Sequence, residues 1–517
     1  MILGPPPLSS HPGGAGVTLD HLFRYAAVQR PDDVALIDPP NRAAFTSGAP
    51  RTLTYREADR AVTAIAARLR GLGLATDQVV GLQLPNTIEG VLALFGVLRA
   101  GLVVSPLPLL WRRRDCTAAM TETAARALIS MARIGATDHG EIAMNTAANA
   151  FTIGHVCMFG GGDDGVIPLD DVLTETASAF TPLNRGKEAA LHLAAVTWDV
   201  DSAGSMPIAR SHVELMMAGF EVMLEGRFAA QSVILSSLCL GSLAGIATTL
   251  TTWLLARGTL VLHHPFDPAV MRRQIVDHQC DVVILPGGLA VRCAEAGMFR
   301  DSAVSKVVAV WRAPERLATC PKWPTAWPAM MDVTVFGETG LFAVTRGDDG
   351  KYAGIKPGPR QPTSTRLQTQ LLIEAARTFE GTLALGGPMV PHHPFPGALD
   401  PDGEPRHGGD AQGFIDTGYP CRFTPGSGTL VVTGPAAGIV SVGGCRFVLS
   451  KLQDTVSRIE AGAMIAAFPD SLTGQRLAGI AGKREEVQAA LARLGHSPLV
   501  VDAFQQRRLA DAARSAA

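Results

Sequence analysis

Apolar residues recur at helical spacing in the stretch TLTYREADRAVTAIAARLRGLGL, where Ala61, Ile65, Leu69 and Leu72 fall on one face. The pattern then switches to a short apolar run, QVVGLQLP, which predicts a buried strand over 79–84. A second helix is expected in TIEGVLALFGVLRAG, closed by Gly101, and a second strand in LVVSPLPL. The alternation continues through GTLVLHH, PAVMRRQIVDHQ, CDVVILP and KVVAVW. Strand–helix alternation of this kind predicts an α/β architecture with largely parallel sheets.

Beyond about Phe342 the pattern changes. Turn residues dominate GDDGKYAGIKPGPRQPTSTR, and short strands are expected in GTLALGG and GTLVVTG. From about Gly434 glycine-rich turns lead into RFVLSKLQDTVSRI, GAMIAAFP and KREEVQAALARLG, which predict a small α+β unit. The expected division is therefore residues 1–434 for a large α/β region and 435–517 for a small α+β domain.

Composition modifies this picture in two places. The run from Phe228 to Ala256 carries no charge and is long enough to cross a bilayer. Its Ser, Thr and Gly clusters, and its continuation into RGTLVLHHPFD, favour a buried strand, loop and helix, with no membrane span. The 517 residues carry a net charge of −2, which gives no electrostatic basis for a nucleic-acid or anionic-membrane partner. Eight cysteines without a CxxC pair point to reduced thiols in a cytoplasmic setting. MILGPPPLSSHPGGAG has neither a basic start nor an apolar core and reads as a tail, not a signal peptide.

Several short motifs sit in a telling order. LTYREADRAVTAIAARLRGLGL, VVGLQLPNTIEGVLALFGVLRAGLVVSPL and GTLVLHHPFDP are followed by VTVFGETG, GFIDTG and VSVGG. Together they resemble the AMP-forming acyl-CoA synthetases, the adenylate-forming group that includes acyl- and aryl-acid:CoA ligases, adenylation domains and luciferases. The resemblance implies that family's fold, with a large N-terminal α/β region and a small C-terminal α+β domain. It also implies a chemistry in which a carboxylic acid and ATP give acyl-AMP, often followed by transfer to coenzyme A.

That chemistry needs phosphate donors, a magnesium ion, an acidic grip on the ribose and a lysine near the carboxylate. The family's glycine-rich phosphate loop falls on TWDVDSAGSMPIARSH, Thr197 to His212, expected as a flexible loop between strand and helix. Aligned on Arg210, Ser211 and His212, Asp201 and Ser202 take the hydroxyl positions and Met206 takes the lysine. Asp199 adds a second carboxylate. Facing polyphosphate at roughly 4 Å, each costs on the order of 4 kcal/mol at an effective dielectric near 20. A surface-facing loop that keeps only its fold is the expected state.

The remaining motifs depart in the same direction. In FGETG the magnesium-binding Glu falls on Gly340, while Phe336, Gly337 and Thr339 match and Glu338 is expected exposed. In VWRAPE, Trp311 and Arg312 take glycine positions beside the adenine, so that Trp311 is placed to fill the base site. In DTGYP, Tyr419 takes the place of the ribose-binding Asp, and a phenol accepts only weakly. Pro435 stands on the usual hinge Arg and fixes φ, which restricts rotation of the C-terminal part. The tail FQQRRLADAARSAA has no lysine.

Candidate site residues follow from this resemblance. Catalytic remnants are Thr339, Glu338 and His212; cofactor contacts are Ser202, Arg210, Gly337, Thr339, Tyr419 and Trp311; an acyl pocket is lined by Cys239, Leu243 and Phe336. HHPF occurs twice, at His263 and at His392, but adjacent strand residues point to opposite faces, and no metal site is expected. GGGDDG, from Gly160, lacks a following helix and lysine and reads as a turn. Two functions stay open. One is a weakly active or non-catalytic relative that binds an apolar carboxylic acid, acyl-CoA or a protein partner. The other is an acid:CoA ligase with a non-standard site, for which alone ATP, magnesium and coenzyme A are expected.

Overall fold

The computed structural model describes residues 16–161, 164–175, 180–360, 371–396 and 406–505. The tails Met1–Ala15 and Gln506–Ala517 lie outside them.

The first strong periodicity forms the helix Tyr55–Gly71, which buries Ala61, Ile65 and Leu69 and starts with a reciprocal cap between Thr54 and Glu57. Against it lies Ile88–Arg99, a helix in which every residue is buried. The contact is close because a Cβ on Gly96 would lie 2.4 Å from Ile65 Cγ2. Only a residue without a side chain permits that approach.

Two large sheets carry the N-terminal region. One of eight strands runs Gly340–Thr345, Ala329–Phe336, Lys306–Trp311, Val282–Pro286, Val233–Ser236, Thr259–Leu262, Val34–Ile37 and Thr52–Thr54. Its interior pairs are parallel and its two outermost pairs antiparallel. The other, of seven, runs Gly204–Ser211, Leu193–Asp201, Val103–Pro106, Val79–Gln83, Ala127–Met131, His155–Phe159 and Ile167–Pro168. An antiparallel five-stranded sheet follows, from Gly358–Arg360 to Thr429–Val432. One continuous apolar core joins residues of all three sheets.

The uncharged run becomes the strand Val233–Ser236, a loop, and a helical stretch from Leu243 to Ala256 whose middle, Ile246–Thr251, has π geometry. Among the described residues no helix is long and apolar enough to cross a membrane.

The C-terminal part builds a four-stranded antiparallel sheet, Cys445–Val448, Ile439–Val442, Gly474–Ile480 and Met464–Asp470. Leu449–Ile459 and Arg484–Arg493 pack on it around a separate core that includes Val456, Leu477, Leu491 and Phe504. It touches the large region at several points. Lys451 Nζ donates to Ala203 O, Arg113 Nη2 to Arg493 O at 3.2 Å, and Arg292 Nη2 to Ser471 Oγ at 3.3 Å. Gly288 packs directly under the backbone of Ser471 and Leu472.

Candidate functional site

The stretch expected as a phosphate loop is a tight β-hairpin. Leu193–Asp201 and Gly204–Ser211 pair in register, with Thr197 opposite Ile208, Asp199 opposite Met206 and Asp201 opposite Gly204. Only Ser202 and Ala203 are left as the turn. Ser202 is exposed at the tip. Between the strands the backbone N–H groups are directed into the ladder, whereas an anion-binding loop directs them outward.

Both carboxylates of the hairpin are engaged, which corrects the expectation of a surface-facing loop. Asp201 holds Arg406 through two bonds of 2.9 and 2.6 Å. Asp199 is buried. It accepts from the Glu338 N–H at 2.7 Å, from its neighbour Val200 N–H at 2.7 Å, and from Arg446 Nη1. The approach from Glu338 depends on Gly337, whose φ is +54° and whose Cβ, if it had one, would stand 2.1 Å from Asp199 Oδ2. Met206, at the lysine position, is buried.

Arg446 comes from the C-terminal sheet. Its guanidinium also lies 5.9 Å from the centre of the Tyr419 ring. Tyr419, on the strand Ile415–Thr424, is buried and meets Phe336 edge-on at 5.6 Å. Burial pushes its phenol up to about 12, with the Arg446 charge opposing. Tyr419 thus presents an aromatic face where the family resemblance places a carboxylate.

Glu338 is buried, contrary to its expected exposure, and its Oε2 accepts from Leu243 N at 2.7 Å. Desolvation raises its carboxyl to about 7; the nearby Arg210 and Arg312 charges and the Leu243 bond pull the other way. Thr339 is buried in the same turn, its N–H on Phe336 O at 3.0 Å. At Gly340 a side chain would press on Ile373, Leu385 and Met389, so this position faces apolar core.

Three other expected site residues lie elsewhere. Arg210 is completely buried and donates to Met389 O at 3.1 Å, Thr339 O at 3.2 Å and Glu338 O. It staples two turns together from inside and has no face for a cofactor. Trp311 is buried in a second apolar cluster under Gly287, its Nε1 bonded to Asp332 Oδ1 at 2.8 Å, so it does not fill a base site. His212 starts the helix His212–Gly226 at the far end of the hairpin from its tip. Seven residues of strand at about 3.3 Å each put it roughly 25 Å away.

The expected acyl lining is similarly divided. Leu243 and Phe336 are both fully buried members of the main core. Cys239 is solvent-exposed, outside that core. The duplicated histidines are structural. His263 is bonded to Gln274 Oε1 at 2.7 Å and accepts from Asp267 N, and His392 Nε2 lies 3.3 Å from Gly387 O. Among the described residues no group of three or more His, Cys, Asp or Glu side chains is arranged to hold a metal.

A cavity of about 50 Å³ remains in the cleft, lined by Trp111, Trp198, Asp199, Arg312, Glu338 and Arg446 among others. Trp198 is fixed by Nε1 on Ser105 Oγ at 3.0 Å and meets Trp111 edge-on at 5.6 Å. Sequence reasoning missed Trp111, Arg312 and Arg446 as cleft residues. Trp111 lies outside the quoted stretches, and Arg446 entered only as the first residue of RFVLSKLQDTVSRI. Arg312 was visible only as an occupant of a glycine position, although strand alternation puts it on the opposite side from Trp311.

Comparison with known proteins agrees with this architecture. The AMP-binding enzyme family matches residues 23–164. A 2-hydroxy-7-methoxy-5-methyl-1-naphthoate–CoA ligase of Streptomyces carzinostaticus is 26% identical over 478 residues, 87% of this chain and 81% of the ligase. A salicyl-AMP ligase / salicyl-S-ArCP synthetase of Mycobacterium tuberculosis is 38% identical over 89 residues, 17% of this chain and 15% of that protein. Among solved structures, the amide bond synthetase McbA from Marinactinospora thermotolerans superposes with a TM-score of 0.70 at 18% identity, covering 94% of both chains. Apo MbtA from Mycobacterium smegmatis gives 0.63 at 22% identity, covering 94% of this chain and 90% of its own. The chain thus matches the AMP-binding enzyme family over residues 23–164 and shares the fold of adenylate-forming ligases along most of its length.

Proposed function

We propose that this chain is a non-catalytic or weakly active adenylate-forming relative, dividing at residues 434/435, that binds an apolar carboxylic acid or its thioester in the cytoplasm. The observation that carries the reading is Asp199. Its carboxylate is held by the Glu338 N–H and by Arg446, in the cleft where the family resemblance places phosphate. An incoming anion meets donors that are already used and a fixed like charge.

The family implies ATP and magnesium at this cleft, and the residues present do not fit them. The hairpin turns its N–H groups into its own ladder, Tyr419 offers a ring in place of an acid, and Gly340 faces apolar core. A cavity of about 50 Å³ holds a few waters, against roughly 300–1,000 Å³ for pockets that enclose drug-sized ligands. These residues support no chemical step through ATP. Entry of any acid larger than a few atoms requires the Arg446 contact to open. The side chains around the cavity, Trp111 and Trp198 with Arg312, suit an aromatic or apolar carboxylate, and Arg312 has no carboxylate within ion-pair distance among the described residues.

Isothermal titration calorimetry tests this directly. ATP with magnesium is expected to bind more weakly than about 100 μM, or about −5.5 kcal/mol; tighter binding overturns the reading. In parallel, an aryl or fatty acid, or its coenzyme A thioester, is expected to raise the melting temperature without ATP. The second reading, an active aryl-acid:CoA ligase with different nucleotide contacts, is favoured by the 26% identity to the naphthoate–CoA ligase over 87% of the chain. Release of pyrophosphate with an aryl-acid panel would establish it.

A further inference from the structure

A second cavity, of about 40 Å³, lies at the base of the hairpin and shares no lining residue with the cleft. His21, Arg24, Arg99, Arg185, His192 and His212 contribute to its walls, together with Asp20. The hydrogen bonds of the three histidines fix their protons. Thr18 N donates to His21 Nδ1 at 3.1 Å, Arg185 Nη1 to His192 Nδ1 at 3.1 Å, and Leu19 N to His212 Nδ1 at 3.4 Å. None of these donors has a lone pair to offer, so each Nδ1 accepts. The single proton of each neutral ring then sits on Nε2.

Three Nε2–H donors are left without a protein partner among the described residues; His21 is exposed and His192 half-buried, so theirs are open to water. His212 is only 8% exposed, so it does not reach bulk water freely. Desolvation and the neighbouring arginines lower His21 and His192 below the ordinary imidazole value; for the buried His212 desolvation, then Arg185, His192 and His21, lower it to about 3. The arginine charges are matched within the protein: Arg24 and Arg99 by Asp20, Arg99 also by Asp59, and Arg185 by Asp77. Asp20 therefore has its acceptor capacity taken up by arginines. Two helices also begin here, Leu19–Gln29 and His212–Gly226, and direct their positive ends toward the space. The walls are balanced in charge but offer donors without acceptors.

We propose that this cavity is a binding site for one small oxyanion, of phosphate, sulfate or carboxylate chemistry, held by the Nε2–H groups of His21, His192 and His212. The volume suits a single such group, and the lone pairs of its oxygens accept from the three imidazole donors in place of water. The site is independent of the cleft and of the reading given to it.

The test is titration of the intact chain with sodium phosphate, sodium sulfate and sodium acetate, each against sodium chloride at equal ionic strength. Melting temperature and the imidazole Nε2 resonances are followed. Phosphate and sulfate acting together identify a tetrahedral oxyanion, and acetate alone a carboxylate; either shifts three imidazole resonances selectively. His192→Leu is expected to weaken binding at least tenfold, whereas His192→Gln, which keeps a donor, stays within about threefold of wild type. No response beyond that of chloride, or unchanged affinity in His192→Leu, overturns the proposal. Should His192→Leu fail to fold, the resonances of the wild-type chain decide it, because absence of selective shifts is then sufficient.

Discussion

At the tip of the 193–211 hairpin, Asp199 is held by Arg446 and the Glu338 N–H, whereas at its base three imidazoles line a cavity and their Nε2–H groups have no protein acceptor among the described residues. The same two strands thus connect a closed electrostatic circuit to an open one. The difference lies in where the complementary charge is covalently held. At the tip the acid and the base are both side chains of the protein, 247 residues apart in sequence. At the base the acids are spent on arginines, so among the described residues none is left for the imidazoles. A site that has met its own needs resists a ligand, and one that has not invites it.

The largest effect is expected from opening the tip. Asp199→Ala leaves the largely enclosed Arg446 without its partner, and loss of a partner from a fully buried pair costs about 3–5 kcal/mol, an upper bound here because the Arg446 side chain is 13% exposed. Chemical denaturation should show it, and the double variant with Arg446→Leu should lose less than the two single variants together. Formate or acetate should recover part of the stability of Asp199→Ala alone, by supplying a carboxylate to the vacated donors. If the single variant is as stable as wild type, the closed circuit has no energetic weight.

A smaller effect, of opposite sign, is expected at Glu338. Its folded-state value near 7 lies above the ordinary 4.5, so the folded chain holds this proton more tightly than the unfolded chain does. Stability from this group is therefore lost as pH rises from about 4.5 to about 7. Glu338→Gln keeps an acceptor for Leu243 N and removes the ionisation. It should gain about 3 kcal/mol at pH 8 and little at pH 4, read from denaturation midpoints at the two pH values. A pH-independent difference would count against the burial argument.

The smallest effect concerns the cavity wall. Trp198→Phe keeps most of the contact with Trp111 and gives up the bond to Ser105, for a loss of about 1 kcal/mol. The base cavity, which shares no residue with this wall, should bind oxyanion unchanged in the same variant.

The architecture was legible because periodicity reports local burial. Ala61, Ile65 and Leu69 face the core as their spacing demanded, and the uncharged run resolved into strand, loop and helix. The hairpin was partly legible: DSAG is turn chemistry, and Gly204 carries it with φ near +117°. It was read as a loop because alignment to a glycine-rich motif outweighed the local pattern. Partners were not legible. Nothing near Asp199 announces Arg446, and nothing near Trp311 says that its ring turns down under Gly287 while Arg312 turns toward the cleft. Leu243 shows the same limit from another side. Placed in an acyl lining by resemblance, it is fully buried core, so Leu243→Arg reports on folding and not on a pocket.

The interlock of Gly337, Asp199 and Arg446 also bears on history. Any side chain at residue 337 collides with the carboxylate, and losing either charged partner strands the other. A lineage at this sequence that drifted back toward a glycine-rich loop by single substitutions would pass first through a less stable protein. The three residues act as a ratchet: each tolerates change only after the others have changed, so the arrangement persists without any need for selection on what the cleft binds.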